Sequence, residues 1–127
     1  MKLKDTKLKT ATSILNVPIR VKSRNVLDRE HWAVKRKDKQ EYCLLIRNQM
    51  RINKIDFAKA CKYKLTIISV RKRKLDYDNL VGGCKHLIDA LIDERFIHDD
   101  SPEYIDINIS QVIGRDYRVF ISRDEVE

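Results

Sequence analysis

Residues 63–96, YKLTIISVRKRKLDYDNLVGGCKHLIDALIDERF, carry two successive periodicities that decide the fold. In the first ten, Tyr63, Leu65 and Ile67 alternate with Thr66, Ile68 and Val70, which predicts a β-strand covered on both faces. From Asn79 the spacing changes. Leu80, Val81, Cys84, Leu87, Ile88, Leu91 and Ile92 recur at helical intervals and predict one amphipathic helix over 79–96. Gly82 and Gly83 sit inside it, each costing about 0.8 to 1 kcal/mol of helix propensity relative to Ala. A helix that keeps both should need a close backbone approach, or a second element packed tightly there.

Working outward, TATSILNVPIRV (10–21) has the β-branched content of a strand ending near Pro18, at an edge or a bulge. The polar, basic stretch KSRNVLDREHWAVKRK (22–37) reads as a loop. Over 38–52, Tyr42, Leu45, Ile46, Gln49 and Met50 recur at three- and four-residue steps, predicting a helix of about four turns with Asp38 as its cap. Ile105, Ile107 and Ile109 alternate with Asp106, Asn108 and Ser110, the period of a half-buried strand. YRVFISR follows across a short GRD turn, so the two predict a hairpin, and RDEVE reads as a frayed tail. The order β, α, β, α, β, β implies an α/β (α+β) fold: one domain over 1–127, with a mixed sheet of about four strands and two main helices packed on it.

The chain has 127 residues, with 27 Lys and Arg against 19 Asp and Glu, a formal charge of +8 that favours a polyanionic partner. Nucleic acid leads, although basic proteins also bind acidic membranes. Three widely spaced cysteines suggest neither a disulfide framework nor a zinc ribbon, and fit a reducing cytoplasm. No secretory leader is expected in the first 21 residues, nor any membrane span.

Four cations, Arg71, Lys72, Arg73 and Lys74, stand directly before Asp76 and Asp78, and a second acidic pair, Asp99 and Asp100, follows in FIHDDSP. If the strand continues through 76–78, both carboxylates share one face of the sheet, and their repulsion is relieved by a cation between them. Mg²⁺ suits such a site, since it takes one or two carboxylates and completes its shell with water and phosphate oxygens. Asp100 could supply a third carboxylate. Lys85, seven residues past Asp78, would project from nearly the same side of the helix and reach a phosphate.

Each feature also has a plainer reading. DYDN before a helix can cap it through Asp78 or Asn79, DDSP can be an ordinary turn, and Lys85 can pair with Asp89 at i+4. His31, His86 and His98 share no ligand spacing. Trp32 could stack on a base, although anchoring its loop on the core is the commoner role.

The run 71–102, RKRKLDYDNLVGGCKHLIDALIDERFIHDDSP, resembles the RusA-like endodeoxyribonucleases, small Holliday junction resolvases of prophages and bacteria. The resemblance rests on a basic strand end, D-x-D-N, a lysine on the following helix, a D-A-L segment and a closing acidic pair, and covers about a quarter of the chain. It implies a homodimer that nicks four-way DNA junctions symmetrically with Mg²⁺, or with Mn²⁺ in its place, in recombination and repair. By position it implies Asp76, Asp78 and Asp100 as metal ligands and catalytic residues, with Asp99 as a further ligand and Asn79 as the motif asparagine. The short family members have lysine where this chain has Gly82, so the catalytic lysine is assigned to Lys85. Phosphate-gripping residues are expected at Arg71, Lys72, Arg73 and Lys74 and in the basic loop at Lys22, Arg24, Lys35, Arg36 and Lys37. The alternatives are a catalytically silent DNA-binding protein, whose acids only cap a helix and turn a loop, and a nuclease for flaps or forks. No small-molecule substrate is expected.

Overall fold

The computed structural model describes residues 13–126. Four strands, β1 (Ile14–Val17), β2 (Tyr63–Arg71), β3 (Ile105–Ile113) and β4 (Arg118–Glu125), form a mixed sheet in the order β1-β4-β2-β3. The helices are α1 (Arg24–Arg29), α2 (Trp32–Ile52), α3 (Tyr77–Gly83) and α4 (Lys85–Asp93). The expected α+β class and the four-stranded mixed sheet are both observed. Residues 10–12 of the expected first strand lie outside the described residues.

Alternation places Leu15 and Val17 of β1, Val119 and Ile121 of β4, Leu65 and Ile67 of β2, and Ile105 and Ile109 of β3 on one face. Against that face α2 packs Tyr42, Ile46 and Met50, while α3 and α4 add Leu80, Cys84, Leu87, Ala90 and Leu91. The core is therefore one layer of side chains between sheet and helices, as expected when two amphipathic helices cover one sheet face. The expectation that β2 is covered on both faces is corrected, because Lys64 is exposed and Thr66, Ile68 and Val70 are only half-buried on the opposite side.

The expected hairpin is also corrected. β3 pairs with β2 in parallel, and β4 pairs antiparallel with the other edge of β2 and with β1. Two strand spacings of about 4.8 Å must therefore be bridged by Gly114–Tyr117, a gap that four residues span. Gly114 N–H donates to Arg71 O (2.8 Å), so this linker passes over the end of β2. β4 extends through Glu125, and Arg123 is buried in it, so the expected frayed tail begins later than Arg123.

The basic stretch 22–37 is largely helical rather than a loop. Ser23 Oγ accepts from Val26 N–H to start α1, and His31 Nδ1 accepts from Ala33 N–H to start α2, which makes His31 rather than Asp38 the cap. Only Leu27 of α1 and none of the first ten residues of α2 is buried, so these turns carry no apolar period. The expected helix 79–96 is two helices that meet at Cys84, whose N–H donates to both Leu80 O and Val81 O. The glycine pair has a steric cause: a Cβ on Gly83 would stand 1.9 Å from Lys22 O, and one on Gly82 2.6 Å from Arg24 Cδ. The close backbone approach comes from the segment leading into α1.

Candidate functional site

β2 ends at Arg71, so Asp76 and Asp78 do not alternate along a strand as expected. Asp76 is the N-cap of α3 in extended conformation, and Asp78 lies in its first turn. The Asp76 side chain makes no capping bond. Both carboxylates are exposed, and neither forms a hydrogen bond or ion pair with a described residue. Local capping therefore does not engage them.

Their placement depends on Gln111 of β3, a residue that no sequence pattern singles out. Its side-chain oxygen accepts from Leu75 N–H (2.9 Å), and its amide nitrogen donates to Leu75 O (2.8 Å). Both backbone groups of the residue before Asp76 are thus tied to the sheet. No motif spacing marks a contact 36 residues apart.

Asp99 and Asp100 lie at the other end of the sheet. The crossover β2-α3-α4-β3 returns the chain from the C-terminal end of β2 to the start of a parallel neighbour. Ser101 O accepts from Tyr104 and Ile105 N–H, and Ile105 pairs with Tyr63 at the start of β2. Leu75, by contrast, is held at Gln111, which pairs with Ser69. From Tyr63 to Ser69 is six strand steps, about 20 Å. Within one chain Asp100 therefore does not join Asp76 and Asp78. Accordingly, no group of three or more His, Cys, Asp or Glu side chains among the described residues is arranged to hold a metal ion. Asp100 N–H donates to Asp99 Oδ1 (2.8 Å) in a local turn, and His98 packs edge-on against Tyr104.

The expected cations divide by environment. Lys72, Arg73 and Lys74 are exposed beside the Asp76 loop, whereas Arg71 is 2% exposed and faces the helix layer. Arg71 Nε donates to Arg73 O and Nη1 to Val21 O. Burial lowers the affinity of its guanidinium for a proton, and Arg20 lowers it further. The guanidinium carbons of Arg20 and Arg71 and Nζ of Lys72 lie 4.9, 5.7 and 5.6 Å from the centre of the Tyr117 ring.

Lys22 is not an open phosphate contact, since Nζ pairs with Glu30 (2.6 Å) and Asp38 (2.8 Å). Burial alone would lower its pKa, but the Asp38 and Glu30 carboxylates outweigh that and raise it. Arg24 lies 3.7 Å from Asp28 and covers Gly82. Lys85 is exposed at the start of α4 and, with Arg24, Leu27, Asp28, Lys35, Gly82 and His86, lines a groove of about 290 Å³. It therefore shares a surface with Gly82, one turn from Asp78, despite the break at Cys84. Arg36 and Lys37 are exposed on α2. Trp32 is 65% exposed and stacks obliquely on His31, so it does not anchor this region on the core.

No family model, curated protein or solved structure matches this chain. Among the described residues no helix is long and apolar enough to cross a membrane.

Proposed function

We propose that this protein is a Mg²⁺-dependent endodeoxyribonuclease that nicks four-way DNA junctions. The observation that carries the reading is the uncommitted pair Asp76 and Asp78, tethered through Gln111 at the carboxyl end of the parallel strands and flanked by Lys72, Arg73 and Lys74. Ligands of open α/β sheets bind outside the carboxyl ends of strands.

Two carboxylates fit Mg²⁺, which keeps several waters and binds substrate phosphate in its remaining positions. Bound there, the ion would activate water and neutralise charge on the scissile phosphodiester. Asp76 and Asp78 orient that centre, Lys85 adds positive charge from the adjoining groove, and the exposed run 72–74 holds flanking phosphates. Asp100 takes part only when a second copy presents it, so a two-fold homodimer completes two sites, one for each strand to be nicked.

The test incubates wild type and Asp78→Asn with a synthetic four-way junction, in Mg²⁺ or chelator. Paired nicks by wild type alone, and only with metal, support the proposal. Equal inactivity with normal junction binding supports a silent DNA-binding protein, the reading favoured by the separation of Asp100 from Asp76. Equal cleavage of flaps or forks would broaden the substrate to branched DNA.

A further inference from the structure

We propose that Arg20, Arg71 and Lys72, gathered around Tyr117, form a site for one backbone phosphodiester of nucleic acid. The three cations come from the segment after β1, the last residue of β2 and the residue following it, and none is paired with a described carboxylate. The ring face attracts each cation weakly and neutralises none of them.

Arg123 shows what a buried arginine with a purely structural role looks like here. Its Nη1 donates to Phe96 O and its Nη2 to Asp56 O, with its guanidinium between the Tyr63 and Phe96 rings. Arg71 likewise has two guanidinium nitrogens on carbonyl oxygens, but its charged neighbour is the cation Arg20, whereas Arg123 has Asp56 and Glu125 nearby. Two guanidinium charges held close together favour an anion between them, and the fork of Arg20, which donates to no described residue, suits the paired oxygens of a phosphate.

A nucleic-acid strand is the fitting source because the exposed run Lys72, Arg73 and Lys74 continues from the cluster toward the Asp76 loop, so successive phosphates find successive cations. The inference rests on the nucleic-acid partner of the proposed function, but on neither its metal nor its hydrolysis.

The test is done in chelator, measuring anisotropy of a labelled duplex over a salt series. Arg20→Gln and Lys72→Gln should each reduce the log-log salt slope by about 0.9, equivalent to about eightfold weaker binding at 0.1 M salt. The double variant should lose no more, because both cations serve one phosphate. Lys62→Gln/Lys64→Gln, which removes two exposed charges elsewhere, should retain the full slope. A double-variant loss twice that of either single, or an equal loss in the control, would show diffuse charge and overturn the site.

In parallel, the side-chain N–H resonance of Arg71 is followed on addition of inorganic phosphate, leaving this buried residue unmutated. A saturable shift that Arg20→Gln abolishes supports the site. The same shift with unaltered duplex binding in Arg20→Gln would assign it to free phosphate and overturn the nucleic-acid source. Absence of nicking by wild type, with the variants' salt slopes reduced as expected, would count against the hydrolytic reading alone, and altered nicking is not needed for the site to stand.

Discussion

Mixing two inactive variants tests whether the metal site is shared between chains. Asp76 and Asp78 follow the carboxyl end of β2, while Asp100 precedes β3 at the opposite end, so about 20 Å separates them in one chain. A metal ion binds oxygens at 2.0–2.1 Å, as Mg²⁺ does, and no side-chain rotation closes that gap. Asp78→Asn and Asp100→Asn should therefore each abolish nicking, because every site in either homodimer lacks one ligand. In a heterodimer both lesions fall in one site and the other is intact. Random reassociation of equal amounts makes half the dimers mixed, each with one working site of two, so about one quarter of wild-type strand nicking returns. Denaturing gels of an end-labelled junction count nicked strands, and mass spectrometry under native conditions counts heterodimers. Formation of heterodimers without recovered nicking would refute the shared site, and full activity of Asp100→Asn alone would remove Asp100 from it.

Four further outcomes follow from local geometry. Gly83→Ala should lower stability by about 3 kcal/mol or more, or prevent folding, because its methyl group would overlap the Lys22 carbonyl at 1.9 Å; Gly82→Ala should also destabilise but less, since Arg24 Cδ can swing aside while its Cβ, 2.9 Å away, must move with the α1 backbone, and urea denaturation compares them. Gln111→Leu removes two hydrogen bonds to Leu75, about 1 kcal/mol each, and should lower global stability by up to about 2 kcal/mol in urea denaturation and accelerate hydrogen exchange at the Leu75 amide. Lys54 has φ 53°, in the turn where its N–H donates to Arg51 O and Ile55 N–H to Met50 O, so Lys54→Gly should raise stability by about 0.5–1 kcal/mol in thermal denaturation. Burial pushes the Cys84 thiol up to about 12; between its unfolded value, near 8.5 to 9, and 12, the unfolded chain loses a proton that the native protein keeps. The stability linked to this thiol is therefore intact below that window and falls by about 1.4 kcal/mol per pH unit within it, so Cys84→Ala should lessen the slope in urea titrations from pH 8 to 10.5 and leave the part owed to Cys43 and Tyr42, which burial also pushes up.

What the sequence made legible was local and periodic. The alternation in 63–71 and 105–113 and the apolar spacing from Tyr42 to Met50 reappear as β2, β3 and the buried face of α2, because one buried face imposes the period directly. Strand pairing was not legible: Gly114–Tyr117 is as compatible with crossing β2 as with a tight turn, and only β2, with both edges available, decides between them. The helices within 22–37 were hidden because their exposed faces have no apolar stripe, and His31 and Ser23 start them without one.

The candidate site divides along the same physical line. Asp76 and Asp78 were visible as a motif, but what orients them is Gln111, whose two bonds exist only after β3 has paired with β2. Arg20 and Tyr117 are 97 positions apart, and the antiparallel pairing of β1 with β4 brings them beside Arg71. A different connection, the β2-α3-α4-β3 crossover, separates Asp100 from Asp76, because a parallel connection must begin its next strand at the opposite end. If a metal needs both, the second copy is a geometric requirement of this topology and not an elaboration of it. The same topology leaves the phosphate cluster whole within each chain, so DNA binding should survive dilution to the monomer while nicking should not.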